Sequence, residues 1–141
     1  MKLFRSEEGV ALVEFAVVLP LLALLLFGVI DFGRYAYSAI VAANAARAGV
    51  EYGAQNLVTA ADTTGQQNAA LADAQNLPSL TATPSAPFCM SGGAVVACTA
   101  SGASYYVQVD TSGTFKPWVK WPLLPATVTV SGSATMRVEQ Q

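Results

Sequence analysis

Histidine is absent from this 141-residue sequence, and charged residues make up only 11% of it. The lack of histidine excludes Ser-His-Asp and Cys-His nucleophilic sites and any metal site that needs an imidazole ligand. Two cysteines are too few for a zinc site or an iron–sulfur cluster of their own. A net charge of −2 does not predict a basic surface that could bind the phosphate backbone of a nucleic acid. We therefore expect no metal, no cofactor and no nucleic-acid partner.

Apolar residues dominate what remains, at 53% of the chain. An average soluble domain carries about 25% charged residues, more than twice the fraction found here. The length allows one small domain, or one long helix with a smaller domain attached. An ordinary cytosolic globular protein is therefore not expected.

A long apolar run extends from Val10 to Ile30, with Glu14 as its only ionisable residue. As a helix, these residues would measure about 31 Å, the thickness of a bilayer core. Lys2 and Arg5 precede the run, and the next basic residue is Arg34. The positive-inside rule then predicts a single transmembrane helix with a cytoplasmic N-terminus and an exported remainder.

A cleaved secretory signal peptide is the alternative interpretation of the run. Residues 36–38 and 43–45 imitate its small-residue cut site. The apolar core of a signal peptide is about 7–15 residues long, and the run here is longer. A helical pattern also continues beyond Ile30, which favours a retained helix.

Glu14 and Pro20 are unusual residues for a simple membrane anchor. A carboxylate within a membrane is costly and marks a functional position, unless it snorkels to the near interface. Pro20 removes one backbone hydrogen bond and predicts a kink, which neighbouring helices in a membrane or bundle tolerate.

The spacing at the start of the run is typical of one class of protein. A short charged leader ending in Gly9, followed by an apolar run whose fifth residue is Glu14, is the signature of type IV pilin-like proteins. This resemblance implies cleavage by a prepilin peptidase between Gly9 and Val10. The new amine of Val10 would pair with Glu14 of a neighbouring subunit and fix the register of the packed helices.

Four blocks in order extend the resemblance: EFAVVLPLL, GVIDFGR, AARAG and, near the end, ATMRVE. They resemble the TadE/TadG-like family of pseudopilin and assembly proteins of the Tad (Flp) pilus. The size of the exported part is closer to TadE or TadF than to TadG. The resemblance implies a pilin-like α+β fold and a role in pilus biogenesis and cell adhesion. It implies as partners the prepilin peptidase, other pilins and pseudopilins, Tad inner-membrane assembly proteins and the lipid bilayer.

The sequence divides into five segments. These are a leader at 1–9, a transmembrane helix at 10–30, its exported continuation at 31–53, a short helix and loop at 54–87, and a small β domain at 88–141. One helix from about residue 6 to 52 would be about 70 Å long. Its continuation carries a stripe of small residues, against which either another subunit's helix or the chain's own C-terminal domain can pack closely. The stripe consists of Ala39, Ala42, Ala46, Gly49 and Gly53.

The segments after the long helix are expected to form one more helix and an antiparallel sheet. The helix is predicted at 66–77 with Thr64 as its cap, and Pro78, Pro84 and Pro87 then mark a loop. A hairpin is predicted at 88–90 and 94–99 around the turn at 91–93. Further strands are predicted at 105–109, 126–130 and 133–138, the last two forming either one longer strand or two strands with a bend at Gly132.

Cys89 and Cys98 flank the turn of that hairpin, which would place them opposite each other. In an exported compartment we expect a disulfide. Two free buried thiols or a redox pair are the alternatives, although the spacing is not Cys-x-x-Cys and no basic residue lies near.

A segment at 115–125 combines Phe115, Trp118 and Trp121 with three prolines and two lysines. One interpretation is a recognition loop or a loop that touches the membrane surface from outside. The other is a crossover whose aromatic side chains are buried over the small core, and this second arrangement is expected.

The function favoured by the sequence is that of a minor pilin-like subunit at the inner membrane, either within the filament or at its base. The alternative is an uncleaved single-pass scaffold protein of a pilus or secretion complex. An anchored enzyme is not expected, since the exported carboxylates Asp62, Asp73, Asp110 and Glu139 are isolated in sequence and no phosphate loop is present.

Overall fold

A computed structural model describes residues 7–119 and 125–139 of the chain. The leader residues Lys2 and Arg5, and Trp121 of the aromatic segment, lie outside the described residues. The described residues form one long helix, two short helices and a five-stranded antiparallel sheet. The predicted α+β fold with a long N-terminal helix is confirmed.

Helix α1 (Glu7–Gly53) contains 47 residues and is about 70 Å long. It joins the apolar run and the Ala-rich continuation without interruption, as predicted. It also continues through Pro20, whose missing N–H leaves one carbonyl of the preceding turn without its helical partner. The helix ends at Gly53, where the Ala54 N–H donates to the Val50 carbonyl at 2.8 Å.

Helices α2 (Leu57–Ala61) and α3 (Thr63–Asp73) follow, and they correct the prediction of a single helix at 66–77 capped by Thr64. The N-cap is Asp62, whose Oδ1 accepts the Gly65 N–H at 2.9 Å. A carboxylate just before the first turn satisfies an otherwise unpaired donor, so the helix begins earlier than predicted. Asn56 caps α2, which was not predicted, through a capping box with Thr59.

The sheet is built around its longest strand, β4. Its strands are β1 (Thr81–Pro84), β2 (Phe88–Ser91), β3 (Ala94–Val96), β4 (Ser104–Phe115) and β5 (Val128–Arg137). Strand β5 lies along one side of β4 from Tyr106 to Phe115. Strands β1 and β2 share the other side, and β3 pairs with β2.

Strand β1 occupies a segment that was predicted to be a loop, so that prediction was wrong. Pro84 lies at the end of this edge strand, where its missing N–H costs little in ladder hydrogen bonds. Strand β4 is longer than the predicted 105–109, and β5 is a single strand through Gly132. The hairpin of β2 and β3 is confirmed, with Gly92 and Gly93 at φ of 60° and 85° in its two-residue turn.

One face of the sheet covers the second half of α1. Along β4 every second residue from Val107 to Phe115 is buried, as expected of a strand with one face toward a core. Val107 and Val109 pack in one cluster with Val50 and Ala54 of α1. The Glu139 N–H donates to the Ala54 carbonyl at 2.8 Å, which holds the end of the chain beside the C-terminus of α1.

Candidate functional site

The first half of α1 stands apart from the folded domain. Between Gly9 and Ile30 every residue is exposed except the half-buried Ala23 and Gly28. Leu12 and Val17 are 72% and 71% exposed. The described residues contain one helix long and apolar enough to cross a membrane. We call residues 9–30 the apolar half of α1, and residues 31–53 its domain-bearing half.

Gly9, Val10 and Glu14 lie together at the free end of the apolar half. Glu14 follows Val10 by four residues, so both side chains lie on the same face of the helix. Both are exposed, and Glu14 is therefore open to a group on a neighbouring helix. Cleavage at Gly9, the pairing of Glu14 and the kink at Pro20 stay predictions.

The predicted stripe of small residues packs against the protein's own domain. Ala42 and Ala46 are fully buried, Gly49 and Gly53 are buried, and Ala39 is half-buried. A Cβ on Gly53 would lie 2.8 Å from Cδ of the Gln66 side chain. The interpretation that the chain's own domain rests on this stripe is therefore supported, and the packing of another subunit against it stays a prediction.

The sheet also approaches α1 at Gly132 of β5. A Cβ there would lie 2.6 Å from the Ala42 carbonyl oxygen. Next to it, the buried Thr111 hydroxyl donates to the same carbonyl at 2.7 Å. Backbone of the sheet and backbone of the helix are thus in direct contact, which fixes the height of the domain along α1.

A buried carboxylate joins the two halves of α1 to the segment that follows β4. Asp31 is 6% exposed, and its Oδ1 accepts hydrogen bonds from Arg34 Nη1 at 2.9 Å and from the Trp118 N–H at 3.1 Å. Its Oδ2 accepts the Val119 N–H at 3.2 Å. Hydrogen bonds to an ionised group are stronger than neutral ones. We call Asp31, Arg34, Trp118 and Val119 the junction.

The aromatic segment differs from its prediction at the junction. Phe115 is buried as expected, and its ring lies 5.7 Å from that of Tyr35 in an edge-to-face arrangement. Trp118 is instead 69% exposed, so the prediction that it is buried was wrong. The Arg34 guanidinium carbon lies 4.1 Å from the centre of the Trp118 ring, and the backbone bonds to Asp31 hold this residue on the outside of the core.

A cavity of about 440 Å³ opens beside the junction. Apart from Asp31 it is lined by apolar and aromatic residues from α1, the end of β4 and the start of β5: Gly28, Phe32, Tyr35, Phe115, Pro117 and Val128. The cavity therefore spans the point where the apolar half of α1 meets the domain.

A second polar cluster lies near the C-terminus of α1. The Tyr52 hydroxyl donates to Asp62 Oδ2 at 2.9 Å. The Gly65 N–H, and after it this hydroxyl, hold the pKa of Asp62 below its ordinary value. The same hydrogen bond raises the pKa of Tyr52. The cluster caps α3 and ties it to α1, so its role is structural.

The expected disulfide is present between Cys89 and Cys98, with Cα atoms 5.1 Å apart. The prediction that the two residues lie directly opposite each other was wrong. Cys89 pairs with Val96, and Cys98 follows two residues later. The bond therefore closes the β2–β3 hairpin and the turn after it.

The structure separates the predicted site residues along α1. Glu14 and Asp31 are 17 residues apart, about 25 Å along the helix. The four carboxylates that were weighed as an enzyme site lie at different places: Asp62 before α3, Asp73 at its end, Asp110 in β4 and Glu139 after β5. Sequence reasoning missed the bonds from Asp31 to the Trp118 segment, because partners 87 and 88 residues away leave no local signal.

Comparison with known proteins identifies the long helix. The family model described as TadE-like protein matches residues 9–51, which is nearly all of α1. This confirms the resemblance found in the sequence for the three blocks within residues 9–51, and the block near the end of the chain lies outside the match. No curated protein and no solved structure matches the chain.

Proposed function

Since residues 9–51 carry the pattern of the TadE-like family, we propose that this protein is a minor pilin-like subunit, a pseudopilin, of a Tad pilus. It is made as a precursor, and a prepilin peptidase cuts it between Gly9 and Val10. Mature subunits then take part in building the filament together with other pilins and Tad inner-membrane proteins.

The observation that carries this proposal is the division of α1 into two halves. The domain-bearing half is covered by the sheet, whereas the apolar half exposes its Leu, Val and Phe side chains on every side. So large an apolar surface requires lipid or other helices around it. A subunit that first sits in a membrane and later packs its helix among neighbours meets this requirement in both states.

The position of Glu14 supports assembly rather than simple anchoring. After a cut at Gly9, the amine of Val10 and the carboxylate of Glu14 lie on one helix face, one turn apart. In an apolar bundle each charge is stabilised by pairing with the opposite charge of a neighbouring subunit. This pairing sets the axial position of one helix relative to the next.

The proposed topology is single-pass in the inner membrane, with the N-terminus cytoplasmic and the domain exported. The positive-inside rule supports this orientation through Lys2 and Arg5. The Cys89–Cys98 disulfide supports it independently, because such bonds persist in oxidising compartments.

The proposal is tested by the intact mass of the protein from membranes of cells with and without the prepilin peptidase. We expect a peptidase-dependent loss of residues 1–9, which leaves Val10 as the first residue. Gly9→Val should block the cut. Gly33→Val is the matched control, because an added Cβ at Gly33 meets open space, and it should be processed normally.

Two other results would contradict the proposal in different ways. An intact N-terminus in both strains would favour the uncleaved scaffold protein. A cut between residues 39 and 45 would indicate a signal peptide, although the helix continues through those residues and Ala45 is buried beneath the domain.

A further inference from the structure

The junction lies at the height where a spanning helix leaves the bilayer. This placement rests on the proposed function, in which residues 10–30 span the membrane. Asp31 and Arg34 of the junction then lie about 1.5 and 6 Å beyond Ile30 along the helix axis. The headgroup region on each side of a bilayer core is about 5–7 Å deep. The junction therefore falls within the headgroup layer of the outer leaflet.

The exposed side chains at this height are those that a lipid interface favours. Phe32 is 71% exposed and Trp118 is 69% exposed. Tryptophan combines an apolar ring with a polar N–H, and it is enriched at membrane–water interfaces for this reason. The hydrogen bonds from the backbone of Trp118 and Val119 to Asp31 hold the indole at this height.

The charges at the junction match an anionic headgroup. Lys116 is exposed, and Arg34 lies over the Trp118 ring. The carboxylate of Asp31 is buried and accepts hydrogen bonds from within the protein. Because Arg34 is paired with Asp31, the outward-facing charge beside the junction is the positive charge of Lys116, as binding of a lipid phosphate requires.

The cavity beside the junction provides an apolar site at the same level. It extends from Gly28, within the apolar half of α1, to Phe115 at the end of β4 and Val128 at the start of β5. Its volume of about 440 Å³ is in the range of sites that hold small ligands. Because the apolar half of α1 continues directly into this cavity, lipid that surrounds the helix can enter it without crossing water.

We propose that this surface docks the exported domain onto the outer leaflet. Lys116 binds the phosphate of a phospholipid, the Trp118 ring lies among the headgroups, and the cavity takes up part of an acyl chain. The surface holds the domain in a fixed orientation on the membrane before the subunit is extracted into a filament.

The experiment uses the full-length protein in vesicles of phosphatidylcholine and phosphatidylglycerol, with Trp118 as the reporter. Trp121→Phe removes the second tryptophan. We expect brominated phospholipid to quench Trp118 emission, with the strongest loss when the bromine is near the headgroup end of the chain. Iodide in the water should quench it weakly, and Lys116→Gln should reduce the added quenching by brominated phosphatidylglycerol over phosphatidylcholine.

Two control variants carry their single tryptophan elsewhere, in a Trp118→Phe, Trp121→Phe background. Phe27→Trp places it in the apolar half of α1, where deep bromine should quench it strongly. Val95→Trp places it at a position of β3 that is 71% exposed. This hairpin pairs with the start of β4, beside the C-terminus of α1, and bromolipid should leave the tryptophan unquenched.

The controls separate failure of this inference from failure of the proposed function. If Phe27→Trp is quenched while Trp118 responds only to iodide, the helix spans but the domain does not dock, and the inference is overturned. Shielding of Trp118 from both quenchers would mean that a second copy covers the surface, which also overturns it. An unquenched Phe27→Trp would refute the membrane span itself.

Discussion

At the residue scale, the most demanding position is Gly132, where sheet and helix backbones touch. We expect Gly132→Ala to lower the free energy of unfolding by about 1–3 kcal/mol, because the new Cβ meets Ala42 backbone atoms that cannot move aside easily. Gly33→Ala is the control. Its Cβ meets open space, and replacing a glycine in the middle of a helix should raise the free energy of unfolding by about 0.5–1 kcal/mol. Thermal unfolding in detergent micelles, followed by near-ultraviolet circular dichroism, measures both. Equal stability of the two variants would contradict the observed contact.

Asp62 gives a prediction on the effect of acid. Its pKa is lower in the folded chain than in the unfolded one, so its ionised form stabilises the fold. This contribution is fully present above the ordinary Asp pKa and is lost as the pH falls through the lower, folded value. Below about pH 4 the unfolding midpoint of the unmodified protein should therefore fall more steeply than that of Asp62→Asn, which keeps an oxygen for the cap. Parallel pH profiles would show that Asp62 does not contribute.

Local sequence signals at this scale found some roles and missed others. Asp31 and Arg34 are three residues apart, so their pairing was predictable from helix geometry. The burial of Asp31 and the exposure of Trp118 were not, because both depend on a contact between α1 and a segment 87 residues later. Asp62 does precede Thr63 as a cap residue should, and the prediction failed because Thr64 competed for the same role.

At the element scale, the β2–β3 hairpin depends on its disulfide. The bond closes a loop with a sequence separation of 9 residues. The double variant Cys89→Ala, Cys98→Ala should lose about 2–3 kcal/mol of unfolding free energy in a denaturant titration, because the unfolded chain regains its loop entropy. Dithiothreitol should destabilise the unmodified protein by a similar amount and leave the variant unchanged. Destabilisation of the variant by the reductant would assign the effect to something other than this bond.

Periodicity predicted the elements with strong patterns and failed for the weak ones. The 47-residue α1 and the alternating β4 carry long apolar repeats, and both were found. Strand β1 has four residues and contains a proline, so its sequence indicated a loop. It is a strand because Thr81 to Pro84 pair with β4, which no local pattern shows.

At the scale of the whole molecule, the family match covers both halves of α1 and little else. The match ends at residue 51, close to the end of the helix, and the sheet lies outside it. The matched part of this chain is therefore a helix whose first half is apolar and exposed and whose second half is rich in small residues and covered by the domain. The domain is fixed to this helix through Gly132, Thr111 and the junction, so its position follows from that of the helix.

Glu14 is the residue on which the proposed assembly of this molecule most depends. Glu14→Ala should leave membrane insertion unchanged, because the apolar run from Val10 to Ile30 stays intact and becomes more apolar. Filament assembly should fall strongly, since breaking a buried ion pair costs about 3–5 kcal/mol at each contact between subunits. Glu14→Gln should show the same defect, because it keeps the shape and loses the charge. Glu51→Ala, which removes an exposed carboxylate near the other end of α1, should affect neither insertion nor assembly.

Membrane fractionation measures insertion, and pili sheared from cells and counted by electron microscopy measure assembly. Normal piliation with Glu14→Gln would show that the charge is not required, and the pairing with the Val10 amine would have to be abandoned.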